Sequence, residues 1–169
     1  MLVRALILTV LLIAALGAVE GDYLEPNPRI DMLTFIANAQ SAKDVRARSR
    51  LSEVRFLELA AKPGAIVLDA RSADKYAMLH IKGAINLPFS DISEPALAKL
   101  LPDKNQMILI YCNNNFNGAP EAFASKRAPA SLNLATYTVL HGYGYTNLGE
   151  LGPLLDVKTT TIPLVGEVR

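Results

Sequence analysis

A chain of 169 residues, 51% of them apolar, can bury one core of ordinary size. Seventeen Lys and Arg stand against sixteen Asp and Glu, which excludes the one-sided charge of a nucleic-acid-binding surface. One cysteine excludes an internal disulfide framework, and one cysteine with two unclustered histidines offers no metal-ligand spacing and no sign of a cofactor.

The chain opens on a short basic start, with Arg4, and a run over residues 5–16 that is apolar except for Thr9; Gly17 and Ala18 follow. That layout is a signal peptide over residues 1–18, cleaved after Gly17 or Ala18. The run is too short for an ordinary membrane span, and an uncleaved anchor is the alternative. Removing residues 1–18 takes away Arg4 and no acidic residue, leaving a formally neutral chain. The expectation is an exported, periplasmic protein without membrane contact after cleavage, a compartment that suits a free thiol without disulfides.

Residues 19–51 read as an N-terminal extension packed on the domain. Residues 21–28 hold two prolines and no periodicity, and residues 30–39 place Ile30, Leu33, Ile36 and Ala37 on one face of a helix. Residues 42–50 carry Lys43, Arg46, Arg48 and Arg50; as extended chain, the three arginines share one face. Two readings stand there: an edge strand protected by charge, or a basic rim near an anion site.

Ser52 caps a helix over residues 53–62, with Val54, Leu57 and Ala61 at helical spacing, ended by Pro63-Gly64. A short strand over 65–68 runs into Asp69. Ser72 caps a short helix through Tyr76 and Met78. Residues 80–83 turn into a strand over 84–87, and a helix over 97–101 stops before Pro102. Residues 107–111 are an Ile-rich strand. Residues 121–127 and 134–141 read as helices, 147–151 as a last strand, and 158–169 as a tail. Strands alternating with helices over short connections give an α/β fold, with a mostly parallel central sheet and helices on both faces.

The stretch QMILIYCNNNFNGAP, residues 106–120, organises this plan. Cys112 sits where the central strand ends and three asparagines force a tight loop, with Pro120 opening a helical segment. Inward-pointing amides and a helix N-terminus there favour a thiolate. Asp69 ends a second strand on the same rim, where open parallel sheets carry their sites. The plainer reading is a buried cysteine before a polar turn.

IVLDARSADKYAMLHIKGAINLPF (residues 66–89), the apolar strand into Tyr111-Cys112, and GYTNLGEL (residues 144–151) together resemble the rhodanese-like domain, over residues 52–157. The resemblance implies the rhodanese fold and a cysteine that accepts a sulfane sulfur from a donor and passes it to a thiol acceptor, which another protein could supply. It makes Cys112 the nucleophile, and Asn113, Asn114, Asn115, Phe116, Asn117 and Gly118 the cradle of the sulfur. Asp69, Arg71 and His80 become supporting residues.

The chain departs from the family in one respect: no basic side chain follows Cys112 directly, so thiosulfate is a poor donor on sequence grounds. The related phosphatases and arsenate reductases need Cys-x5-Arg, and Gly118 stands at that position. A persulfide-carrying sulfurtransferase is the leading reading. The alternative is a catalytically weak binding module that recognises a partner protein or a small anion. The oligomeric state stays open.

Overall fold

The computed structural model describes residues 27–166, so the signal-peptide reading falls outside it. Residues 27–31 belong to a separate unit and make a turn, in which the Ile30 N–H donates to the Asn27 carbonyl at 3.0 Å. From Met32 onward the chain forms α1 (Met32–Arg48), β1 (Arg50–Leu51), α2 (Glu53–Ala60), β2 (Ile66–Asp69) and α3 (Ala73–Met78). Then come β3 (His80–Ile81), β4 (Ile85–Asn86), α4 (Glu94–Leu100), β5 (Ile108–Tyr111) and β6 (Phe116–Asn117). The last elements are α5 (Leu132–Gly142), β7 (Leu148–Leu151), β8 (Leu155–Asp156) and β9 (Leu164–Val165).

Five strands pair in the order β1-β7-β5-β2-β4, all parallel, as the α/β pattern required. The central strand β5 is buried along its whole length, because helices cover both faces of the sheet. Side chains alternate across it. Leu109 and Tyr111 join Phe56 and Leu59 of α2 in one core, while Ile108 and Ile110 join Ala42 of α1, Leu97 of α4 and Tyr137 and Leu140 of α5 in the other. Two short ladders form separate two-stranded sheets: β3 with β9, antiparallel, and β6 with β8, parallel.

Three local expectations are corrected. The helix expected over residues 30–39 begins at Met32 and continues to Arg48, so the basic segment is helical rather than extended. The face expected to pack is exposed at Leu33 and Ile36, and Ala42 is the buried contact. Arg46, Arg48 and Arg50 share no rim: Arg46 pairs with Glu150, and Arg50 donates to the Gly152 carbonyl at 3.1 Å.

In α2 the cap is as expected, with Ser52 Oγ accepting the Arg55 N–H at 3.2 Å. The helix buries Phe56 and Leu59, whereas Val54 is exposed. Residues 121–127 are not a helix. Their backbone groups are taken by distant side chains instead. Arg71 Nη1 donates to the Ala122 carbonyl at 2.8 Å, and Asn113 Nδ2 donates to the Ala124 carbonyl. Asn114 brackets Lys126, accepting its N–H at 3.0 Å and donating to its carbonyl at 2.8 Å.

Candidate active site

Asp69 and Tyr111 are register partners at the ends of β2 and β5, so the residues that follow them open on one rim of the sheet. Cys112 leaves β5 and caps a single 3-10 turn, residues Asn113–Asn115. Its Sγ accepts the Asn114 N–H at 3.3 Å, as a serine cap would. Asn115 reciprocates: its Oδ1 accepts the Cys112 N–H at 2.9 Å. The same Asn115 donates to the Leu151 carbonyl at 2.7 Å and the Pro153 carbonyl at 3.2 Å, which ties the loop to the end of β7.

The helix that serves the sulfur is α5, not a segment at Pro120. Ser131, its N-cap residue, makes no side-chain bond to its own helix, and its Oγ lies 3.5 Å from Cys112 Sγ. An eleven-residue helix pointing its N-terminus at the sulfur favours negative charge there. Cys112 itself is buried, contrary to the exposure that direct attack on a donor calls for. Beside it lies a cleft of about 350 Å³, walled by Asn113 and Leu132, the sequence neighbours of Cys112 and Ser131, together with Ala70, Arg71, Lys75 and Lys126.

The cradle residues divide. Asn113, Asn114 and Asn115 surround the sulfur-bearing turn. Phe116, Asn117 and Gly118 belong to the support behind it. Phe116 packs its ring against Phe123 at 4.7 Å and edge-on to Tyr111 at 6.1 Å, deep in the core. Asn117 pairs with Asp156 in the β6–β8 ladder. Gly118 has φ +91, and a Cβ there would stand 2.9 Å from Val157 Cγ2.

Asp69 and Arg71 are framework. The Asp69 carboxylate receives Arg71 Nε at 3.0 Å, Arg71 Nη2 at 2.5 Å and the Tyr111 hydroxyl at 2.5 Å. Arg71 also donates to the Leu79 carbonyl at 2.7 Å and lies over the Phe123 ring at 4.2 Å. Burial works against its charge, but the hydrogen bonds and charge of Asp69 more than offset this and hold the guanidinium above its ordinary range. Burial, then the Asp69 charge, push the Tyr111 hydroxyl far above the usual tyrosine range. It therefore stays a donor to Asp69, and it accepts the Ile81 N–H at 3.1 Å. His80 stacks on Tyr76 at 3.7 Å, and its Nδ1 lies 2.7 Å from the Tyr76 carbonyl, so its ring is engaged in packing.

Sequence reasoning missed Ser131, Lys75, Asn133 and Glu150. Ser131 and Asn133 lie in no motif, Lys75 and Glu150 lie within the resembling blocks without a role assigned there, and each reaches the site only through the fold. Asn133, the second residue of α5, donates to Asn115 Oδ1 at 3.0 Å and lies 3.4 Å from Glu150 Oε1. Among the described residues, no group of three or more His, Cys, Asp or Glu could hold a metal.

The comparisons with known proteins bear on the family and the fold. The rhodanese-like domain profile matches residues 52–149. Thiosulfate sulfurtransferase PspE of Escherichia coli (strain K12) is 30% identical over 90 residues, which cover 53% of this chain and 71% of that protein. This chain belongs to the rhodanese-like domain family. Among solved structures, the thiosulfate sulfurtransferase of Pseudomonas aeruginosa superposes with TM-score 0.51 at 18% identity, over 78% of this chain and 23% of that one, a likeness of fold. A rhodanese-like domain of Anabaena sp. gives TM-score 0.48 at 22% identity, over 71% and 80% of the two chains.

Proposed function

We propose that the protein is a sulfurtransferase or persulfide carrier with Cys112 as the sulfur-bearing residue. The observation that carries this reading is the setting of one atom. Cys112 Sγ lies between the Asn114 N–H and the N-cap hydroxyl of α5, and Asn113, the next residue, lines a cleft together with Lys75 and Lys126. The Cys112 thiolate attacks the outer, sulfane sulfur of the donor. A Cys–S–S bond forms, the donor's own S–S bond breaks, and the leaving group departs with the electron pair: sulfite from thiosulfate, or a thiolate from an organic persulfide. An acceptor thiolate then attacks the outer sulfur of the Cys112 persulfide and releases the Cys112 thiolate. Donor N–H groups and the helix end stabilise the anion at each stage.

The loop after Cys112 is neutral, but the fold supplies charge from elsewhere. Lys75 comes from α3 and Lys126 from the segment before α5, and both line the cleft. Arg71 contributes little, since Asp69 holds it. The lysines make an anionic donor such as thiosulfate, the substrate named for the Escherichia coli relative, compatible with the site. Because the sulfur is buried, loading requires a neighbouring wall of the cleft to shift. The basic start and apolar run of residues 1–18 support the further reading that the protein is exported to the periplasm.

Burial of the sulfur favours a second reading, a rhodanese fold that binds a partner or a small anion without turnover. Steady-state transfer from thiosulfate or an organic persulfide to an acceptor thiol separates the two. Turnover by the native protein that Cys112→Ser abolishes supports the first reading. Turnover that survives the substitution, or is absent throughout, sinks it.

A further inference from the structure

We propose that Arg46, on the helix that precedes the family domain, is a positioning residue for the Cys112 loop, acting through Glu150 and Asn133. This rests on the reading of Cys112 as the sulfur carrier. Arg46 is at residue 46, outside the 52–149 match, yet it reaches inward. Its Nη2 donates to Glu150 Oε1 at 2.6 Å, and its Nε lies 2.5 Å from Glu150 Oε2 as a close charge contact without hydrogen-bond alignment, on a carboxylate that is nearly fully buried in β7. Glu150 Oε1 also lies 3.4 Å from Asn133 Nδ2. That amide's shorter bond, 3.0 Å, goes to Asn115 Oδ1, the atom that receives the Cys112 N–H. One line of buried polar contacts thus joins α1 to the backbone of the sulfur-bearing residue.

The line works by competition for a single amide. With Arg46 in place, Glu150 has its charge matched and its Oε1 engaged, and Asn133 leans toward Asn115. Without Arg46, a buried carboxylate is left short of donors, and the nearest donor among these contacts is Asn133 Nδ2. Turning that amide to Glu150 withdraws it from Asn115. The loop then keeps Asn115's bonds to Leu151 and Pro153 but loses the contact that orients Oδ1 toward the Cys112 N–H. Removing both partners of the ion pair, as in Arg46→Gln with Glu150→Gln, removes the competing charge as well. Asn133 is then free to return.

The test compares native protein, R46Q, the double variant R46Q/E150Q and N133A by two readouts. Hydrogen exchange of the peptide covering residues 112–117 needs no turnover, so it stands even if the protein transfers no sulfur. Kinetics of sulfur transfer, resolved into kcat and KM, report the consequence. The expected result is exchange in that peptide about tenfold faster in R46Q and N133A, with residues 66–69 unchanged, and near-native exchange in the double variant. In an active protein kcat falls about tenfold while KM holds, with the same rescue. Native exchange in R46Q, or a double variant no better than R46Q, overturns the proposal. If R46Q does not fold, N133A decides: native exchange at residues 112–117 overturns it and selective loss there supports it.

Discussion

Arg71 and Asp69 meet side-on, at 2.5 to 3.1 Å, with both side chains all but withdrawn from solvent. The pair sits two residues apart at the end of β2, and its effect is felt some fifty residues on, because Arg71 Nη1 also holds the Ala122 carbonyl. It fixes the path of the chain after the Cys112 loop, which leaves no helix at 121–127.

Replacing Arg71 by Met strands Asp69 without its counter-charge and frees the carbonyls of Leu79 and Ala122. The expected loss is about 3–5 kcal/mol of unfolding free energy, measured by chemical denaturation. A loss below about 1 kcal/mol would show that the pair is dispensable.

Tyr111→Phe removes the donor to Asp69 and the acceptor of the Ile81 N–H, while keeping the ring that packs on Phe116. A destabilisation of about 1–3 kcal/mol is expected, from two buried groups losing a partner. The same hydroxyl should be the last tyrosine to ionise in an alkaline absorbance titration, since its neutral form is the one the fold favours. Its contribution is present below the ordinary tyrosine value and is lost only as pH rises through the raised one.

Glu53 opens α2 and receives Thr160 Oγ1 at 2.6 Å, the Thr161 N–H at 2.6 Å and Thr161 Oγ1 at 2.9 Å. These bonds, the Thr160 hydroxyl first, hold its carboxyl below the ordinary value of 4.5. The folded state therefore favours the ion. Its contribution is full above 4.5 and disappears as pH falls through the lowered folded value. Native protein and Glu53→Gln should differ in melting temperature near neutral pH and converge in acid. A gap that does not narrow in acid would contradict the linkage.

Lys75 and Lys126 bring charge to a cleft whose own loop has none. The double substitution to Gln should raise KM for the dianion thiosulfate about fivefold and shift KM for an organic persulfide of lower charge by less. Equal shifts for both donors would mean that the lysines shape the cleft rather than attract the anion.

The strands were legible because burial on both faces writes itself as apolar runs: residues 65–68 and 107–111 could be little else, and the Cys112 turn follows from three asparagines that cannot extend a strand. The Ser52 cap was equally local. What could not be read was set by partners far away in sequence. Residues 121–127 have helical composition, yet Arg71 and Asn113 capture their carbonyls. Arg46 looked like one of three surface arginines, and only the fold shows Glu150, 104 residues later, waiting for it. Ser131 carries no signal at all until α5 delivers it to the sulfur.

The most direct measurement is the intact mass of the protein, purified without reductant, after incubation with thiosulfate and separately with an organic persulfide. The expected result is a gain of about 32 Da, removed by cyanide and absent in Cys112→Ser. No gain from either donor, in protein whose thiol alkylates slowly, would contradict a sulfur-carrying Cys112.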